Sequence, residues 1–212
     1  LKLQRLEVPF FSLNIVILLF NSERSKFVHL MRNLKFKNFM RHIEISQQQS
    51  LQDVDLLVWP ETALPFPVGF NPKMDRQIES VIEKSEVTIA SGGLRLIYNY
   101  FDQKIEGVYN SIFFFNSKEK HFYDKHHLVP FGEYVPFRSW VPFLDIIAGP
   151  ADFVAGEHNH LIAVPGIGQV QTLICYEVIF AGQVITPTNR PDLIVNITND
   201  AWFGTTIGPW QH

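Results

Sequence analysis

A chain of 212 residues with 46% hydrophobic and 18% charged residues holds enough apolar material for one sizeable core, which excludes a disordered segment. A formal net charge of −3 leaves no electrostatic footprint for nucleic acid, and a single cysteine excludes both an internal disulfide and a cysteine cage for metal. The length suits a single domain over residues 1–212.

In chain order, the first feature is the apolar stretch VPFFSLNIVILLF at 8–20. Ser12 and Asn14 interrupt it, so it falls short of the roughly 20 apolar residues that cross a bilayer, and it predicts a buried strand over 13–20. Residues 24–48 predict a helix, with Phe27, Leu30, Met31 and Leu34 at spacings of three and four. Lys26, Arg32, Lys35, Lys37 and Arg41 lie between them as a solvated or membrane-facing basic side. DVDLLVWP at 53–60 is a continuous apolar strand stopped by Pro60. NPKMDRQIESVIEKSE at 71–86 predicts a helix capped by Asn71, with Pro72 in its first turn and Met74, Ile78, Val81 and Ile82 as its buried stripe. VTIA predicts a strand closed by Ser91, Gly92 and Gly93. VYNSIFFF and HFYD predict paired strands around the polar turn NSKEK. Four prolines between aromatics make 128–150 a loop, and QVQTLICY and DLIVNIT close the pattern as two further strands. Strands apolar throughout, alternating early with helices, predict a layered α/β protein with a mixed sheet and its chemistry at strand ends.

Three residues at apparent strand ends carry reactive groups: Glu61 after LLVWP, Lys125 after HFYD and Cys175 at the end of QTLIC. Each has a plain structural reading as a solvated loop charge or, for the cysteine, as a small buried hydrophobe. Together they form a chemical set. A glutamate can take a thiol proton, and a lysine can stabilise the oxyanion formed when the thiolate attacks a carbonyl. His126 and His127 are adjacent with no third ligand in view, which argues against a metal site.

The stretches WPETALP (59–65), YDKHHLVPFGEYVPF (123–137), ICYE (174–177) and NITNDAWFG (196–204), followed by GPWQH (208–212), resemble the carbon–nitrogen hydrolase (nitrilase) superfamily. More narrowly, they resemble the catalytic domain of its apolipoprotein N-acyltransferase branch. The resemblance implies a nitrilase-like α-β-β-α sandwich. It implies Glu61 as general base, Lys125 as oxyanion-stabilising lysine and Cys175 as nucleophile. Glu133 is implied as a second glutamate that orients Lys125 or shares the proton traffic, Tyr176 as a backbone oxyanion donor and Glu177 as the residue that holds the elbow. The implied reaction moves an acyl chain from a phospholipid to Cys175 and then to the diacylglyceryl-cysteine amine of a lipoprotein. No cofactor or metal is needed. The implied setting is the bacterial inner membrane, with this domain on its periplasmic side. Phe131, Tyr134, Phe137, Trp140 and Phe143 then form an acyl-chain groove, dip into the lipid interface or pack the loop onto the core.

The sequence departs from that branch in lacking membrane segments on either side, in stopping at His212 before the final helix and strands, and in matching poorly over 1–50. The expectation is a truncated domain, weakly stable and poorly active alone. The competing readings are a soluble nitrilase or amidase acting on a small amide, and an inactive remnant of the acyltransferase.

Overall fold

The computed structural model describes residues 2–8, 13–19, 28–48, 50–130, 132–136, 152–157, 161–184 and 190–199, with side chains from residue 35 onward except Gln49, Ala181 and Gln183. The described chain runs β1 (Lys2–Val8), β2 (Leu13–Leu19), α1 (Val28–Gln48), β3 (Leu56–Val58), α2 (Pro72–Ser85), β4 (Thr88–Asn99), β5 (Lys104–Phe115), β6 (Lys120–Asp124), β7 (Ile162–Val164), β8 (Gly168–Ile174), a 3₁₀ turn (Cys175–Ile179), a short α3 (Ala181–Val184) and β9 (Leu193–Ile197).

Two mixed sheets result. Six strands stand in the order β1-β2-β3-β4-β5-β6, parallel across β2-β3-β4 and antiparallel elsewhere. The second sheet has the order β7-β8-β9, antiparallel then parallel. Strand alternation sends neighbouring residues to opposite faces. On one face of the large sheet, Leu57, Ile89, Phe113 and Phe115 pack with Phe39 and Ile43 of α1 and Met74, Ile78, Val81 and Ile82 of α2. On the other, Leu56, Val58, Ala90, Ile112 and Phe114 meet Ile162, Val164, Val170, Ile174, Val195 and Ile197 of the small sheet. The described residues therefore form helix, sheet and sheet layers of an α/β protein.

α2 forms as its sequence predicts. The Asn71 side chain accepts from the N–H groups of Lys73 and Met74 at 3.1 Å each, a cap worth about 1 kcal/mol. The stripe Met74, Ile78, Val81 and Ile82 is buried as expected. In α1 the stripe expected at Phe27–Leu34 lies outside the described side chains. His42 packs its ring 5.7 Å from that of Trp59, and burial pushes its pKa down to about 4, so it is neutral at pH 7.

Four expectations are corrected. The strand predicted over 53–60 is shorter, because Asp53 adopts a left-handed φ of 61° and the chain turns before Leu56. β4 is not closed by Gly92 and Gly93 but runs through them to Asn99. Its partner β5 begins at Lys104, four residues before the strand expected at 108. β1 and β7 were not expected as strands. Glycine usually punctuates a strand; at Gly92 it is required inside one, since a Cβ there would sit 2.6 Å from the Cα of Glu61.

Candidate active site

The site lies at strand ends, as expected. β3 ends at Val58, and the following turn carries Glu61 against the backbone of β4. Gly92 N–H donates to Pro60 O (3.3 Å), and Leu64 N–H donates to Gly92 O (3.1 Å). The absent side chain at Gly92 lets this turn approach. Thr62 is held at a left-handed φ of 59°, and its Oγ1 accepts from Asn199 Nδ2 at 2.9 Å. That bond ties the turn to the segment leaving β9.

Lys125 follows β6 and is clamped by its backbone. Its N–H donates to Asn110 O, and its O accepts from Gly156 N, each at 2.8 Å. Its side chain is only 1% exposed, yet Nζ lies 3.0 Å from Oε1 and 2.9 Å from Oε2 of Glu133. A buried ammonium is tolerated only when paired in this way. Glu133 is itself fixed by Val129 N–H, which donates to Oε2 at 2.9 Å. The residue before the lysine, Asp124, accepts a bidentate fork from Arg95 and a 2.6 Å bond from Ser111 Oγ. The Arg95 guanidinium sits 4.4 and 4.6 Å from the ring centres of Tyr109 and Phe122.

Cys175 is not the last strand residue, as its sequence position suggested, but the first residue of the 3₁₀ turn after β8, with φ at +56°. A non-glycine residue rarely adopts that backbone. The strained elbow is braced by Glu177. Oε1 accepts from Tyr123 OH (2.9 Å), His126 N–H (2.8 Å) and His127 N–H (3.0 Å), while Oε2 accepts from Ile174 N–H (2.8 Å). One carboxylate thus fastens the cysteine elbow to the segment that carries Lys125. His126 and His127 serve this loop: Nδ1 of His126 pairs with Gly156 O at 2.9 Å, and the His127 ring stacks on Phe180 at 4.5 Å.

Glu61, Lys125 and Cys175 converge electrostatically. The Cys175 thiol is pushed above its ordinary pKa, first by burial and then by the charge of Glu61. A hydrogen bond from the Thr198 side chain, the Lys125 charge and the Tyr176 backbone N–H oppose that rise. Glu61 is likewise pushed up, mainly by burial. Its hydrogen bond from Asn110, the Lys125 charge and the Asn199 backbone N–H oppose the shift, while the Glu133 charge adds to it. Both groups therefore rest closer to their neutral forms than they would in water.

Asn110, in the middle of β5, was missed by the sequence reading. Its Nδ2 donates to Glu61 Oε1 at 2.8 Å and to Glu133 Oε1 at 2.9 Å, so one amide uses both of its hydrogens to space the two acids. Thr198 and Asn199 were also missed as single residues, although they stand inside the NITNDAWFG motif. Tyr134 lies beside this loop in a bridge to Pro130. The side chains of Phe131, Phe137, Trp140 and Phe143 lie outside the described residues.

Chemically, the arrangement supplies a half-buried thiol, a carboxylate with Oε2 unpaired among the described residues, and a lysine whose charge acts on both. Such a set suits acyl chemistry through a thioester. Residues 33–212 match the family model for carbon–nitrogen hydrolase. The chain belongs to the carbon–nitrogen hydrolase family. Its similar relatives include apolipoprotein N-acyltransferases of Allorhizobium ampelinum, 37% identical over 82% of this chain and 34% of that protein, and of Rickettsia prowazekii, 33% identical over 82% and 35%. The chain thus spans about a third of the length of the curated relatives it matches. Among solved structures, a mutant of the Nesterenkonia AN1 amidase from the nitrilase superfamily superposes with a TM-score of 0.56 at 14% identity, covering 89% of this chain and 65% of that one. The carbon–nitrogen hydrolase of Helicobacter pylori G27 gives a TM-score of 0.51 at 14% identity over 77% and 55%. These likenesses bear on the fold, which is that of the nitrilase superfamily.

Proposed function

We propose that this chain is the catalytic part of an apolipoprotein N-acyltransferase, carrying a fatty acyl chain on Cys175 from a phospholipid to the α-amino group of a diacylglyceryl-cysteine. The identity to acyltransferases supports this reading over a small-amide hydrolase, whose support is fold likeness alone. The membrane surface, on its periplasmic side, is the setting in which both lipids are available.

In the first half-reaction, Glu61 Oε2 takes the Cys175 proton and the thiolate attacks the ester carbonyl. Lys125 Nζ and the Tyr176 N–H hold the tetrahedral oxyanion. Collapse breaks the ester C–O bond, and Glu61 returns its proton to the leaving lysophospholipid oxygen. In the second, the lipoprotein amine attacks the thioester, Glu61 accepts a proton from nitrogen, and the thiolate leaves and recovers that proton. Glu133 and Asn110 take no proton in this account; they position Lys125 and Glu61.

The single observation that carries the proposal is Glu61 Oε2. It is a buried carboxylate oxygen with no hydrogen-bond partner among the described residues, on the residue whose charge acts on the Cys175 thiol. The test supplies a phospholipid with a labelled acyl chain and a synthetic diacylated lipopeptide. The expected products are an N-acylated lipopeptide and an equal amount of lysophospholipid. Ammonia released from a short amide with no lysophospholipid formed would favour the hydrolase instead.

A further inference from the structure

The hairpin between β4 and β5 is built unlike the rest of the large sheet. β4 passes the site at Gly92 and continues for seven residues to Asn99, about 23 Å at 3.3 Å per residue, in the direction in which β3 delivers Glu61. At its end Phe101 is 100% exposed and Tyr100 79%, with Ile105 and, from the neighbouring loop, Phe70 also exposed. Fraying does not explain this exposure. The Asn99 side chain accepts from the N–H groups of Phe101 (2.9 Å) and Asp102 (3.2 Å) and donates to Asp102 Oδ2 (3.2 Å) and Glu106 Oε1 (2.7 Å). Gln103 closes the turn at a φ of 51°. The ring of Tyr98 packs edge-to-face on Phe70 at 6.4 Å and on Tyr100 at 5.0 Å. A hydrogen-bonded turn therefore holds an aromatic tip in water.

We infer that the β4–β5 hairpin tip is a bilayer-contact element that seats the domain on the lipid surface from which the acyl donor is drawn. The choice of a lipid occupant rests on the acyl-transfer reading. The shape supports that choice. Four apolar side chains stand out from the turn as a convex tip, with Phe101 fully exposed. A fluid interface accepts a convex aromatic tip without a preformed pocket. Tyrosine rings with a polar end suit the headgroup level, and a phenylalanine suits the acyl boundary beneath it. Asp102, within the turn itself, and Glu106, on β5, each accept from the Asn99 amide, and Lys104 is exposed between them.

The test places a reporter on the tip. Full-length Phe101→Trp is mixed with phosphatidylcholine vesicles carrying brominated acyl chains, and the emission added by the new tryptophan is followed. The expected result is quenching on vesicle addition. In parallel, Phe101→Asp combined with Tyr100→Ser is expected to lower the vesicle-bound fraction at least tenfold. Acylation of Cys175 by a water-soluble fatty acyl thioester should stay within twofold of wild type. An unquenched reporter, a bound fraction unchanged in the double variant, or burial of the reporter only in a protein dimer seen by sedimentation overturns the inference. If the reporter is quenched while Cys175 accepts no acyl group, the hairpin inference stands and the proposed function fails. The opposite pattern leaves the function standing and removes the hairpin from it.

Discussion

Glu61 and Glu177 stand in different turns, one after β3 and the other after β8. Both are buried, at 6% and 4% exposure. Their surroundings differ in one respect that separates chemistry from architecture. Glu177 accepts four hydrogen bonds from two segments of the chain, 123–127 and the end of β8, and both of its oxygens are engaged. Glu61 accepts one from Asn110 on Oε1, with a backbone N–H of Asn199 close enough to favour its charge, and Oε2 has no hydrogen-bond partner among the described residues. A saturated buried carboxylate holds loops together; an unsaturated one beside a thiol is able to move a proton. Burial alone does not tell the two apart, whereas the count of donors does.

The strongest way to break this comparison is Glu61→Gln. It keeps the shape and the Asn110 contact but removes the basic oxygen. Acylation of Cys175, followed by intact-mass spectrometry, is expected to slow by ~10³-fold, within the range for loss of a general base, with little change in the thermal midpoint. Equal acylation rates in the two proteins would show that another group takes the proton.

Glu177→Gln reverses the pattern. An amide NH₂ replaces one oxygen and must face either the Ile174 N–H or the three donors now shared by Tyr123, His126 and His127. Losing charge-assisted bonds and setting donor against donor should cost ~3 kcal/mol, and the midpoint in a thermal scan should fall by about 6–12 °C. A midpoint unchanged from wild type would mean that Glu177 is not the brace described.

Asn110→Asp sharpens the comparison from the other direction. It adds a third carboxylate against Glu61 and Glu133 and removes the hydrogen bond that favours the Glu61 anion. Burial already raises Glu61, and the acid limb of the rate–pH profile should move to still higher pH in this variant; an unchanged limb would show that Asn110 does not tune Glu61.

The smallest effect concerns stability. Because the Glu61 pKa is higher in the folded chain than in the unfolded one, the native state binds more protons in the interval between them. Stability should therefore decrease as pH rises through that window. Denaturant midpoints measured across it should decline in wild type by more than in Glu61→Gln.

The same contrast explains what was legible in the sequence. Glu61, Lys125 and Cys175 follow apolar runs, so their placement at strand ends could be read directly, and the motifs around them carried the family. α2 announced itself through Asn71, Pro72 and an unbroken stripe. Asn110 did not. An asparagine inside a strand carries no local signal, because its role depends on two acids 49 residues before and 23 residues after it. Gly92 misled for a related reason. Its local meaning is a strand break, but its actual role is to admit the Glu61 turn at a distance no side chain allows. The same misreading hid the aromatic hairpin, since β4 was taken to end where it in fact continues to Asn99. Thr198 acts on the thiol through the register that sets β9 parallel to β8, another long-range fact.

The most direct measurement is the intact mass of the purified chain after incubation with a phospholipid of defined acyl composition. The account predicts one acyl chain per molecule, mapped to Cys175, released by neutral hydroxylamine as a thioester and absent in Cys175→Ala. An unmodified Cys175 in the presence of the donor, or an acyl group carried elsewhere and retained in Cys175→Ala, would contradict it.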